Sequence, residues 1–383
     1  MRRRPDARGD LGRPHPGRLH VAGFRGAQCR PPDRGAGAMK PVGIHGVGTA
    51  LACGAGVDAL RIALREGREA GRSEVGLEGL EDFIPANRTR RLDPLARMAL
   101  LAACLSLRDA GLRPDEASGR PTGIVFGTAL GPQESTFSFL EDIIGSGDAC
   151  ASSFAFTNSV HNLPASNMSL ALGIRGPMRT VTAFGHTTAA ALLSALHWIR
   201  EGVVERVLLV LGEECSAVME YVVRRFGGGE GNVRPFAPGC TYRSRGGCAA
   251  FVLGGGDGPY GRLASVEAGL SEAEAAERAA GSDLLLCAAA GRADEFNLYE
   301  RLWASHRLVG AYSPVYGSLP TGPGVDLAVA ALSLRERTVF AGPGGAWIKG
   351  SAVSGAEGLL PGAVAVAGVE GPGRFTLIRV ERR

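Results

Sequence analysis

From residue 39 onward, short aliphatic and β-branched runs alternate with segments of helical periodicity, and no other feature of this chain restricts its fold as strongly. The spacing predicts a strand over 41–48, helices around 56–66 and 93–111, and a strand over 122–126. Within 93–111, Leu, Ala and Met recur on one helical face, and Gly111 supplies the stop. A helix over 187–201, stopped by Gly202, leads to a strand over 206–211 that is apolar enough to be buried on both faces. After Gly256 the pattern restarts, with strands at 261–266 and 283–289, helices at 293–305 and 325–335, and closing strands near 362–367 and 375–380. Such alternation builds parallel βαβ units. The restart fits a second, related α/β half, although no internal sequence repeat marks it.

The chain has 383 residues, 45% of them hydrophobic and 21% charged. That is enough apolar material for a large core, in one unit or two related halves. Residues 1–38 are the exception. They are rich in Arg, Pro, Gly and Asp without hydrophobic periodicity, so they are expected to be a disordered extension. Met39 opens the first strand and is an alternative translation start; a transit peptide fits less well because of the acidic residues and prolines. The expected division is 1–38, then 39–257 as a first half and 258–383 as a shorter second half.

Forty-two basic and 38 acidic residues give a net charge of +4, and the surplus sits largely in the first forty positions. No basic face points to nucleic acid, so acyl or protein partners fit better. The eight cysteines show no CxxC pairing and no His/Cys spacing for zinc, so neither a metal nor a cofactor is expected. No signal peptide or run long enough to span a bilayer is seen, and a reduced, cytoplasmic protein is expected.

The run Gly43-Ile44-His45-Gly46-Val47-Gly48 imitates a dinucleotide-binding glycine loop. No acidic residue follows about twenty positions on to close a second strand; that region reads Arg65-Glu66-Gly67-Arg68. The favoured alternative is that the glycines turn the chain tightly beside a strand.

The same opening, continued to Leu64-Arg65-Glu66-Gly67, resembles the start of the β-ketoacyl synthases. Further matching segments follow in family order: Arg90-Arg91-Leu92-Asp93-Pro94, Gly127-Thr128, Asn158 to Asn162, Leu172 to Pro177, Thr180 to Ala183, Arg234-Pro235-Phe236, and Gly246 to Leu253. The resemblance covers about residues 39–383 and is thinner after 256. It implies an α/β, thiolase-like fold of two related halves in α-β-α-β-α layers. A distorted form of the family's Gly-Phe-Gly loop is matched to Gly371-Pro372-Gly373.

A condensing enzyme takes its acyl group on a thiolate at a helix N-terminus, where the macrodipole and backbone N–H groups lower its pKa. The family places that Cys directly after Thr-Ala. Here Thr182-Ala183 is followed by Phe184, Gly185, His186 and Thr187. Phe184 cannot form a thioester, and an unactivated Thr is a poor nucleophile. The family's two His also have no counterpart. Ala288-Ala289-Ala290-Gly291-Arg292 stands where the first loop would be, and Ser318 or Pro320 stands at the second position, depending on register. The resemblance therefore implies a degenerate site, with no catalytic residue assigned and with Phe184, Gly185, His186, Thr187 and His161 lining the elbow or acyl pocket.

Other chemistry-bearing residues have plainer expectations. Cys104, Cys215, Cys248 and Cys287 lie in apolar surroundings and are expected to be small buried hydrophobes. Glu213 and Glu214 are expected to organise loops, His161 to make structural hydrogen bonds, His197 and Trp198 to pack, and His306 to cap a helix.

The leading expectation is a chain-length-factor-like partner of an active ketosynthase, as a heterodimer or with itself, shaping a tunnel that Phe184 fills or gates and meeting an acyl carrier protein in fatty acid or polyketide biosynthesis. One alternative is a divergent acyltransferase or 3-oxoacyl-carrier-protein synthase with a non-Cys nucleophile such as His186 or Thr187. Another is a homodimeric acyl- or carrier-protein-binding module.

Overall fold

The computed structural model describes residues 40–382 except 72–74, 114–120, 227, 229–230, 305, 343–346, 350–359 and 372. The extension 1–38, the Met39 start and the residue Pro372 lie outside the described residues. The strands are β1 (Val42–Leu51), β2 (Gly54–Ala55), β3 (Thr122–Gly127), β4 (Met178–Val181), β5 (Arg206–Glu213), β6 (Gly247–Gly255), β7 (Arg262–Leu270), β8 (Leu284–Cys287), β9 (Val309–Ala311), β10 (Trp347–Lys349), β11 (Ala363–Gly371) and β12 (Arg374–Glu381).

The two halves have one topology. In the first, β1, β6, β5, β3 and β4 lie side by side, and only β6 runs against the others. In the second, β7, β12, β11, β8 and β9 follow the same succession, with β12 reversed. β10 extends the second half's edge, β2 pairs β1, and the strands of the two halves meet where β1 pairs β7 at Gly43–Arg262. A duplication that the residues do not reveal is thus explicit in the strand order.

Side-chain alternation with period two makes the layers. Val207, Leu209 and Leu211 of β5, with Leu284, Leu286, Val364 and Val366 of β8 and β11, face a central core shared with the helices Thr187–Arg200 and Gly322–Glu336. Leu208 and Val210 face outward onto the helices Pro94–Asp109 and Leu163–Leu172. Leu285, Cys287, Ala365 and Ala367 face a third cluster with Tyr299, Leu302 and Trp303 of the helix Glu295–Ala304. The architecture is therefore α-β-α-β-α, as expected.

The glycine run corrects one expectation. Gly43, Gly46 and Gly48 sit inside β1 and make no turn. A Cβ on Gly46 would lie 2.3 Å from the Ser106 carbonyl oxygen, and one on Gly48 would lie 2.2 Å from that of Ala102. The glycines let the helix Pro94–Asp109 press its backbone against the strand. That helix opens on Asp93, whose side chain accepts from Ala96 N at 2.7 Å, with Pro94 at its first position.

Candidate functional site

In an α/β sheet, ligands meet the carboxyl ends of the parallel strands. Here those ends lead into Thr128–Gly131 after β3, Thr182–Thr187 after β4, Glu213–Ser216 after β5, 288–292 after β8, and Glu370 near the end of β11.

The elbow after β4 is a single 3-10 turn, Phe184–His186, running directly into the helix Thr187–Arg200. Phe184 has φ 45°, in the left-handed region that an aromatic residue rarely enters, and its side chain is 63% exposed. Thr187 is buried, and its hydroxyl accepts from Ala183 N at 2.9 Å, which closes the turn. Gly185 is needed for close approach, since a Cβ there would meet Glu370 Cβ at 3.0 Å.

His186 joins the elbow to the second half. Its Nδ1 lies 2.9 Å from Thr376 Oγ1, and its Nε2 lies 3.2 Å from Glu370 Oε2. Arg374 approaches the same carboxylate at 3.9 Å. Neither Thr376 nor Glu370 was legible in the sequence, because the β11–β12 hairpin brings them to the elbow across about 190 residues.

Glu213 holds the loop after β3, accepting from Ala129 N at 2.6 Å, Leu130 N at 3.1 Å and Thr128 Oγ1 at 3.0 Å. Burial pushes its carboxyl up to about 7 against these donors. Glu214 accepts from Glu134 N at 2.6 Å and is likewise raised to about 7 by burial. Both organise loops. Glu295, which sequence reasoning passed over, does the same for 288–292 by accepting from the amides of Ala290, Gly291 and Arg292 at 2.7, 2.8 and 3.0 Å. Ser318 is fully buried; its hydroxyl donates to the Ala290 carbonyl at 2.5 Å and accepts from Arg243 N at 2.9 Å. Pro320 is half-buried beside it. The two loops expected to lack His are thus stitched together by a hydroxyl.

His161 departs from expectation. It is exposed, it makes no side-chain hydrogen bond among the described residues, and its ring fills the space that a Cβ on Gly131 would occupy. His306 accords with a cap, with Nδ1 2.8 Å from the Leu302 carbonyl and Nε2 3.0 Å from that of Ala279. Trp198 is buried beneath Arg179, 5.5 Å from the ring centroid, whereas His197 is exposed and packs little. Cys104, Cys248 and Cys287 are buried, and burial raises every one of these thiols, Cys104 to about 12. Cys215 is half-buried and also raised by burial. None is poised as a thiolate. Among the described residues no three His, Cys, Asp or Glu side chains are grouped to hold a metal ion, and no helix is long and apolar enough to cross a membrane.

The family model of the β-ketoacyl synthase N-terminal domain matches residues 76–254. Nodulation protein E of Rhizobium meliloti (strain 1021) is 28% identical over 182 residues, 43% of this chain and 45% of that protein, so the match spans under half the relative's length. Three solved structures each cover 90% of this chain and are covered in full. The ishigamide ketosynthase/chain length factor has a TM-score of 0.72 at 16% identity. A β-ketoacyl synthase from Burkholderia phymatum STM815 has 0.69 at 16%. A type II PKS acyl-carrier protein in complex with its ketosynthase bound to the hexaketide has 0.70 at 14%. At these identities the structural likeness shows the thiolase-like fold alone.

Proposed function

We propose, from the premise that this chain belongs to the β-ketoacyl synthase family, that it serves as a non-condensing, chain-length-factor-like partner of an active ketosynthase in polyketide- or fatty-acid-type biosynthesis. One observation carries this: an aromatic side chain, Phe184, stands on the strained elbow where the family's reaction needs a thiolate. Ser318 or Pro320, depending on register, and 288–292, matched to the family's two histidine positions, hold no imidazole, so polarisation of an acyl or malonyl oxygen has no imidazole donor there. Relatives described as a ketosynthase/chain length factor and as a ketosynthase with its acyl-carrier protein agree with a ketosynthase partner and an acyl carrier protein.

The surface around the elbow supports a protein partner. β4 is the outer strand of the first half, and an unpaired strand edge recruits another strand. Met178 of β4 is exposed, as are Phe137, Leu140 and Ile144 of the helix Gln133–Ser146 and Phe154 and Phe156 of the helix Ser153–Asn158. Only Gln133 is buried in the whole helix Gln133–Ser146. Apolar exposure on this scale marks an interface. Co-expression with a ketosynthase encoded beside this gene tests the proposal. Co-purification and a changed product length on deleting this chain are expected; neither happening would end it.

One observation favours a second reading, a divergent acyltransferase: Thr376, His186 and Glu370 form a hydroxyl–imidazole–carboxylate relay at 2.9 and 3.2 Å. Thr376 is only 1% exposed, which argues against access by an acyl group. If the relay were catalytic, Thr376→Val would abolish acyl transfer while leaving partner binding intact.

A further inference from the structure

Arg243 and Arg245 flank Ser244 on the segment that leads into β6. Ser244 pairs in parallel with Ser318, so the segment is extended there, and side chains two residues apart on an extended chain leave it on the same side. Arg245 is only 6% exposed. Its stem lies over Gly317, whose φ of 88° suits glycine; a Cβ at that position would fall 2.1 Å from Arg245 Cγ.

A buried guanidinium ordinarily has a carboxylate beside it. Even the half-buried Arg262 has Glu381 at 2.8 Å and the half-buried Arg292 has Asp294 at 2.7 Å. Arg245 has only the Ser244 carbonyl, to which Nη1 donates at 3.3 Å. Arg243 makes its polar contacts through the backbone, N donating to Ser318 Oγ at 2.9 Å and O accepting from Ser318 N at 2.8 Å. Among the described residues neither side chain forms an ion pair. The acid that Arg245 feels, Glu220, is engaged by Arg224 at 3.8 Å and by the Cys215 thiol at 3.9 Å. Burial first, and then the charge of Arg243, hold Arg245 below the ordinary guanidinium value. Two like charges, one of them nearly enclosed, thus stand without an ion-pair partner among the described residues, beside a hydroxyl that ties two loops at the carboxyl edge of the sheet.

We propose that Arg243 and Arg245 form a binding site for an oxyanion, the carboxylate or phosphate group of a ligand that enters beside Ser318, and that this anion supplies the charge the chain itself omits. Guanidinium forks match both groups in bidentate geometry. The site stands independently of any pairing with a ketosynthase, so the two proposals can fail separately.

The test uses the full-length chain, titrated with sodium phosphate and separately with sodium acetate at ionic strength held constant with sodium chloride. Thermal melting and calorimetry are the readouts. A saturable rise in Tm with either probe is expected, and the stronger probe identifies the source as a phosphate ester or a carboxylate. Arg243→Gln should abolish the response, yet melt no lower than the parent in anion-poor buffer, because it removes one of two repelling charges. Arg243→Lys keeps the charge without the fork and should bind roughly tenfold more weakly. The proposal is overturned if neither probe gives a saturable response, if the response follows ionic strength alone, or if Arg243→Gln responds as the parent does. It is equally overturned if that variant is destabilised in anion-poor buffer while Arg243→Lys is not, since the arginine would then have an internal partner.

Discussion

Phe184 holds a backbone conformation that costs an ordinary residue about 1–3 kcal/mol, and with its ring largely in solvent it recovers little by burial. Phe184→Gly should therefore stabilise the isolated chain by about 1 kcal/mol in denaturant unfolding; a loss of stability would mean that the ring packs against something essential. Asp326 lies at the opposite extreme. It is fully buried, with neither oxygen in hydrogen-bond geometry, and burial raises its carboxyl from 3.8 to about 8, while the nearby Tyr316 hydroxyl pulls the other way. The folded chain keeps this proton where the unfolded chain loses it. The contribution of Asp326 is therefore full below about pH 4 and fades as the pH rises toward 8. Tm should fall across that window, and Asp326→Asn should flatten the slope; an unchanged slope would contradict the assignment. That Phe184, Gly185 and His186 follow Thr182-Ala183 was legible because a matched motif fixes which residue stands where. Thr376, Glu370 and the Arg243–Arg245 pair were not, because their meaning comes from neighbours that only topology supplies.

Local pattern fixed the elements well wherever one periodicity ran unbroken. The helices Val57–Glu66 and Thr187–Arg200 and the strand Thr122–Gly127 fall within a residue or so of their expected bounds. The stretch between β3 and β4 was not resolved by pattern. Its helix Gln133–Ser146 carries Phe137, Leu140 and Ile144 at helical spacing, a stripe that went unread and that the fold leaves exposed, while Ser153–Asn158 is too short to show a period. The helix Glu272–Ala279 carried a signal that went unread, a capping box in which Ser271 and Glu274 satisfy each other's backbone. The glycines of β1 looked like a loop because contact with a helix backbone leaves no trace in local sequence. Gly48→Ala drives a methyl into the Ala102 carbonyl and should cost about 1–3 kcal/mol or more, read as a lower denaturation midpoint with unchanged m-value. A neutral Gly48→Ala would contradict the packing described for this strand.

At the scale of the molecule, the strand order of one half is repeated by the other, and the loops at the shared carboxyl edge are tied together by Ser318, Glu213 and Glu295. The helix Gln133–Ser146 leaves apolar side chains exposed, and the proposed association makes that face a place to test. Ile144, 84% exposed, is a direct probe: Ile144→Lys should leave the melting temperature unchanged and weaken association with a partner or a second copy, seen as a later gel-filtration elution. An unchanged elution would place the interface elsewhere. The central claim, that no nucleophile remains at the elbow, is tested most directly by intact-mass spectrometry of the full chain after incubation with acyl-loaded carrier protein. The account predicts an unmodified mass at every time point, whereas a stoichiometric acyl adduct on any residue from Thr182 to Thr188, or on Thr376, would contradict it.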